Sequence, residues 1–181
     1  MGRQLNIEII ENGEALANCY FHWSAHSESA AVLTKSIIDA IPEVEASVKS
    51  SRVDVAVELF KRVGAVFADD ELAYKSNALI SVTKQEIEDT RRWQECAIYI
   101  YLDQKYFTFD LINCVSESEW KNLYFDGQNS SEHEENLEFL KFDLTHIPFE
   151  SIDDFLAALN RHYESELHLK PEIADEYFWY M

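Results

Sequence analysis

Cys19, His22 and His26 have the spacing C-x2-H-x3-H. A thiolate and two imidazoles at such intervals can bind zinc, and Cys96 or Cys114 can supply a fourth ligand. The same residues also read as a Cys–His nucleophile pair, the imidazole taking the thiol proton. Against both, the usual second CxxC or HxxxH pair is absent. Along a strand, positions 19 and 22 also face opposite sides. The plain reading is a buried cysteine and two histidines near a strand end. Elsewhere there is no Walker A pattern, and four glycines are too few for a phosphate-cradling loop. Neither G-x-S-x-G nor H-E-x-x-H occurs. Carboxylate pairs occur throughout so acidic a chain, so no Asp/Glu couple stands out as an acid–base pair. The expectation is a non-enzyme that needs no cofactor or metal.

The elements that would position these residues are legible from periodicity. Residues 4–11 alternate through Leu5, Ile7 and Ile9, Asn12-Gly13 follows, and residues 14–23 run back, which predicts a hairpin over 4–23. Residues 96–112 predict a second hairpin. There Cys96, Ile98, Ile100 and Leu102 share one face with a turn at Asp103-Gln104-Lys105, and Phe107 and Phe109 face oppositely to Tyr106 and Thr108. Helices are predicted from the Ser24–Ser29 caps to a stop at Pro42, from Arg52 to about Phe67, and from Ser151 to about Ser165. The first has Val32, Leu33, Ser36, Ile37 and Ala40 at helical spacing, the second Val53, Val57, Phe60 and Val63 or Gly64, and the last Ile152, Phe155, Leu156 and Leu159. Thr83-Lys-Gln-Glu86 is a capping box that opens a polar helix to about Gln94, after a short strand over 78–82. Another strand is expected near 137–144 and a mobile acidic loop near 126–136. The fold class is therefore α+β: one domain over 1–181, an antiparallel sheet centred on the second hairpin, and about four helices.

Charge narrows the partners. The 181 residues hold 34 Asp and Glu against 15 Lys and Arg, a net charge of -19. Phosphate binding needs clustered cations, so direct, sequence-specific nucleic-acid binding is not expected. Attraction to basic protein surfaces is. Residues 115–181 hold 16 acidic against 4 basic residues, whereas residues 1–114 hold 18 against 11. The C-terminal acids interleave with Tyr124, Phe125, Tyr177, Phe178 and Trp179, a mixture suited to an interface. Three sparse cysteines fit a reducing compartment, the N-terminal segment lacks a signal peptide's apolar region, and Asn6 breaks a myristoylation motif. No apolar run approaches the roughly 20 residues of a membrane span. A cytoplasmic protein of the host cell, with no membrane partner, is expected.

The opening MGRQLNIEIIENGEALANCYFHWSAHS, with its hairpin and the FHWSAHS segment leading into a helix, resembles small proteins of phages and mobile elements of Gram-positive bacteria. With the length and acidity, the chain is similar to type II-A anti-CRISPR proteins, the inhibitors of Cas9. The likeness runs the length of the chain, but no motif in it is diagnostic. Those inhibitors share no common fold or site, so no residue carries over by position. The resemblance implies a non-catalytic, DNA-mimicking partner of guide-loaded Cas9 that blocks DNA binding or cleavage. Cas9 holds nucleic acid in positively charged channels and reads the PAM with arginines. The candidate contacts are Asp69, Asp70, Glu71, Glu132, Glu134 and Glu135. Two other readings stand beside it: a small enzyme using Cys19 with His22 or His26, and a homodimeric interaction module joined through its aromatic C-terminus.

Overall fold

The structure is a computed structural model that describes residues 4–21, 27–68, 78–94, 96–109 and 141–167. Its strands are β1 (Leu5–Glu11), β2 (Glu14–Phe21), β3 (Leu79–Ser81), β4 (Cys96–Tyr101), β5 (Tyr106–Phe109) and β6 (Ile147–Pro148). Its helices are α1 (Ser27–Ser47), α2 (Arg52–Ala68), α3 (Lys84–Arg91) and α4 (Ile152–Leu167). This is an α+β fold, as the sequence pattern predicts.

Both predicted hairpins form within the described residues, and residues 22 and 23 of the first lie outside them. Asn12 and Gly13 close the first with φ of 53° and 78°, the left-handed pair that a type I′ turn requires. Residues 102–105 close the second, with Lys105 at φ 56°. The Asn12 amide donates to Asp103 Oδ2 at 3.2 Å and so links the two turns. The described part of β5 stops at Phe109, and residues 110–112 lie outside the described residues.

The predicted antiparallel sheet needs a correction. β1 and β4 pair in parallel, with Ile7 beside Ile98 and Glu8 beside Tyr99. The sheet is mixed, and its order is β3-β2-β1-β4-β5-β6. The connection explains it. β3 adds antiparallel to β2, so β3 runs in the same direction as β1 and β4. The chain then crosses β2 and β1 through α3 and enters β4, the kind of crossover that parallel neighbours need. Periodicity finds strands but says nothing of which strand a connection carries the chain past.

A second correction concerns the strand expected near 137–144. Residues 137–140 lie outside the described residues, and 141–144 form no strand. Asp143 instead turns the chain, its Oδ1 accepting from the Thr145 amide at 3.0 Å and the Thr145 hydroxyl at 2.7 Å. Such a side chain offers the backbone an alternative to the ladder. The ladder forms just afterwards, where Ile147 pairs with Phe107.

One sheet face is apolar. Leu5, Ile7, Ile9, Cys19, Ile98, Ile100, Phe107 and Phe109 are buried there in one cluster with Leu33 and Ile37 of α1, Val55 and Leu59 of α2, and Phe155 and Leu159 of α4. The α4 stripe is the predicted one. The α1 stripe is turned slightly, since Ala30, Leu33, Thr34, Ile37 and Ile38 are buried while Val32 is exposed. Among the described side chains of α2, Val55, Ala56, Leu59 and Phe60 are buried and Val53 and Val57 half-buried, while the predicted Val63 and Gly64 lie outside them. Pro42 does not end α1, which continues to Ser47. Proline removes one helical hydrogen bond, but Val44 is fully buried in the core. The last turns are also held from outside, by Glu43 to Arg62 at 2.8 Å and Glu45 to Arg52 at 2.7 Å.

Candidate functional site

Of the three residues in the C-x2-H-x3-H spacing, the described one is Cys19, which lies in β2 on the apolar face and is buried. Burial pushes its thiol up to about 12, so it carries no thiolate at neutral pH and is a poor nucleophile or ligand where it stands. Cys96 is likewise buried, beside Leu5 of β1. His22, His26 and Cys114 lie outside the described residues, as do the acidic candidates Asp69, Asp70, Glu71, Glu132, Glu134 and Glu135. Among the described residues, no group of three His, Cys, Asp or Glu side chains could hold a metal ion.

The second sheet face carries the polar chemistry. Alternation that sends Ile7 inward sends Asn6 and Glu8 the other way, with Asn18 of β2 opposite Glu8. An open antiparallel sheet would leave these in water. Here α3 and the turn after it cover them, and all three are buried. Arg91 holds Glu8 in a two-bond contact, Nε to Oε2 at 3.0 Å and Nη2 to Oε1 at 2.6 Å. The pairing raises the Arg91 guanidinium above its ordinary value. Asn6 Nδ2 donates to Gln94 Oε1 at 2.9 Å, and the Thr90 hydroxyl to Asn18 Oδ1 at 3.2 Å. Asn6 Oδ1 and Asn18 Nδ2 find no hydrogen-bond partner among the described residues. This seam fixes α3 on the sheet, and so sets the shape of what lies beside it.

Alongside α3, a groove of about 330 Å³ opens toward β3 and the end of β2. Glu86, Asp89, Thr90 and Trp93 line one wall, and Tyr20, Leu79, Ile80 and Ser81 the other. Glu86 and Asp89, three residues apart, share one side of α3, and Trp93 lies in the turn that follows Arg91, its amide donating to the Thr90 carbonyl at 3.1 Å. The predicted capping box is present: the Glu86 amide donates to Thr83 Oγ1 at 3.3 Å, and Glu86 Oε2 accepts from the Thr83 amide at 3.1 Å. The groove's apolar parts are unusually open, with Trp93 67% and Leu79 56% exposed and neighbouring Val82 at 43%. Sequence reasoning passed over Trp93. The signal was there: a tryptophan just past the end of the short helix that carries Glu86 and Asp89.

A further aromatic cluster lies at the opposite end of the sheet. Tyr106 stacks on Tyr101 at 4.4 Å between ring centroids and on His146 at 4.0 Å. Burial, with Tyr106 alongside, raises the Tyr101 phenol.

No family model, curated protein or solved structure matches this chain. Among the described residues no helix is long and apolar enough to cross a membrane.

Proposed function

We propose that this chain is a non-catalytic binding protein for a basic, nucleic-acid-handling partner, and that guide-loaded Cas9 is that partner, its DNA binding or cleavage being blocked. The observation that carries the reading is how four of the 15 Lys and Arg residues are held. Lys35 pairs with Asp39 and Asp153, Arg52 with Glu11 and Glu45, Arg62 with Glu43 and Glu58, and Arg91 with Glu8 and Glu88. Each of these cations is matched by two carboxylates. The exposed pairs among these add little stability, unlike Arg91 with the buried Glu8, but each of them cancels positive charge that a phosphate backbone would need. What remains is a chain of net charge -19, attracted to cationic protein surfaces and repelled by nucleic acid. The alternative that uses Cys19 as nucleophile has no support from a buried, protonated thiol.

The test is co-elution with guide-loaded Cas9 at low and high salt, followed by a target-DNA binding assay. Co-elution that weakens with salt, together with lost DNA binding, is the expected result, since screening lengths are only about 8 Å at physiological ionic strength. Charge reversal at Asp69, Asp70, Glu71, Glu132, Glu134 and Glu135 should then reduce inhibition in a folded variant. Co-elution with DNA binding intact moves the block to the cleavage step. Absence of co-elution with several Cas9 orthologues rejects Cas9 as the partner.

A further inference from the structure

The groove beside α3 combines three properties that point to one kind of occupant. Its aromatic wall is open, because Trp93 is 67% exposed. Its carboxylates are only half used. Glu86 Oε2 accepts from the Thr83 and Val82 amides, and Asp89 Oδ1 takes Gln85 Nε2 at 3.1 Å and a longer contact from Arg92 at 3.6 Å. Glu86 Oε1 and Asp89 Oδ2 have no hydrogen-bond partner among the described residues. Finally, β3 sits at the sheet edge, paired on one side only among the described residues.

We infer that this groove takes an arginine-bearing segment of a basic protein. A guanidinium fits better than an ammonium, and a phosphate is repelled. Its flat face stacks on an indole, the best of the aromatic partners for a cation. Its fork of N–H donors suits carboxylate oxygens. The same carboxylates repel nucleic acid. Glu86 and Asp89 lie one turn apart on α3, and Trp93, in the turn that follows, lines the same groove. The inference deepens the proposed function, on which its choice of a basic protein partner rests, by locating a point of contact for that partner.

The test is fluorescence anisotropy of labelled oligo-arginine, oligo-lysine and oligo-glutamate peptides with the full chain and with Trp93→Ala, Asp89→Asn and Asp154→Asn. Position 154 is an exposed acid of α4, away from the groove. Trp93 and Asp89 are exposed and carry no core packing, and unchanged circular dichroism and melting confirm each variant's fold. Expected are binding of the arginine peptide ahead of the lysine peptide and none of the glutamate peptide. Trp93→Ala and Asp89→Asn should each weaken the arginine peptide by about threefold to fivefold, the value of an exposed cation–π contact or charged hydrogen bond. Asp154→Asn should change it less than about twofold. Equal binding by wild type, Trp93→Ala and Asp89→Asn overturns the inference. So does an equal loss in Asp154→Asn, which would reduce the effect to overall charge. The peptide assay needs no Cas9, so the two readings fail separately. Cas9 capture indifferent to both groove variants rejects the groove and keeps the function. Groove-dependent peptide binding without Cas9 capture does the reverse.

Discussion

Glu8 of β1 and Arg91 of α3, 83 residues apart in the chain, meet in a two-bond ion pair in which the Glu8 side chain is 2% exposed and the Arg91 side chain 34%. The contact joins the central strand to the helix that walls the groove. Removing one partner of a buried pair leaves an uncompensated charge, which costs about 3 kcal/mol or more. Replacing both with apolar groups of similar size is often neutral. Arg91→Met is therefore expected to lower the unfolding free energy by about 3 kcal/mol, and Glu8→Leu added to it to recover most of the loss. Urea denaturation of the two variants measures this. A loss in Arg91→Met below about 0.5 kcal/mol would mean that Glu8 reaches water without unfolding.

That pair also marks where sequence reasoning stopped. The pattern Leu5-Asn6-Ile7-Glu8-Ile9 announces a strand with one wet face, and the strand is there. Nothing local says that α3 will lie over Asn6 and Glu8, because the covering helix comes some 80 residues later in the chain. The Asn12-Gly13 turn, the Thr83 capping box and the Ile152, Phe155, Leu156, Leu159 stripe were legible because each is decided within a few residues. The parallel β1–β4 pairing, the passage of α1 through Pro42 and the groove at Trp93 depend on contacts between distant segments. The burial of Asn6 and Glu8 has the same cause: period two reports alternation, while burial depends on what packs on top.

Cys19 offers a second test. Its thiol, raised from 9.0 to about 12 by burial, is protonated in the fold at pH 8, and labelling requires the thiolate and access to it. The stability this shift contributes is present below 9.0 and is lost as pH rises through about 12. Iodoacetamide at pH 8, mapped by mass spectrometry, is expected to leave Cys19 and Cys96 unmodified in the native protein and to modify both in urea. Fast native labelling of Cys19 would mean that β2 opens readily, and would revive the nucleophile reading.

The start of α3 gives a pH dependence. Glu86 titrates below its ordinary 4.5, first because the Thr83 backbone amide donates to its carboxylate, with the Thr83 side chain and the Val82 amide adding to the effect. A folded value below the unfolded one means stability that is complete above 4.5 and lost as pH falls through the folded value. Asp54 and Asp143, held low by neighbouring serine and threonine side chains, act in the same direction. Urea midpoints are therefore expected to fall on acidification below about pH 5. Glu86→Gln should flatten part of that fall. An identical pH slope in Glu86→Gln would show that the cap does not survive in solution, and with it would go one of the groove's two carboxylates.

The core has its own keystone in α4. Phe155 is fully buried and meets three other rings edge-on: Phe109 at 5.0 Å, Phe142 at 5.4 Å and Phe107 at 6.0 Å between centroids. Edge-to-face contacts of this kind add to what area burial supplies. Phe155 also joins β5, the segment before β6 and α4, so its loss opens a cavity between three parts of the chain. Phe155→Ala is expected to cost about 3 to 5 kcal/mol, and Phe155→Leu, which keeps much of the volume, distinctly less. Because the groove lies on the other face of the sheet, the folded fraction of Phe155→Leu should bind the arginine peptide as wild type does. Destabilisation by Phe155→Ala of less than about 1 kcal/mol would mean that α4 does not pack on the sheet in solution as it does here.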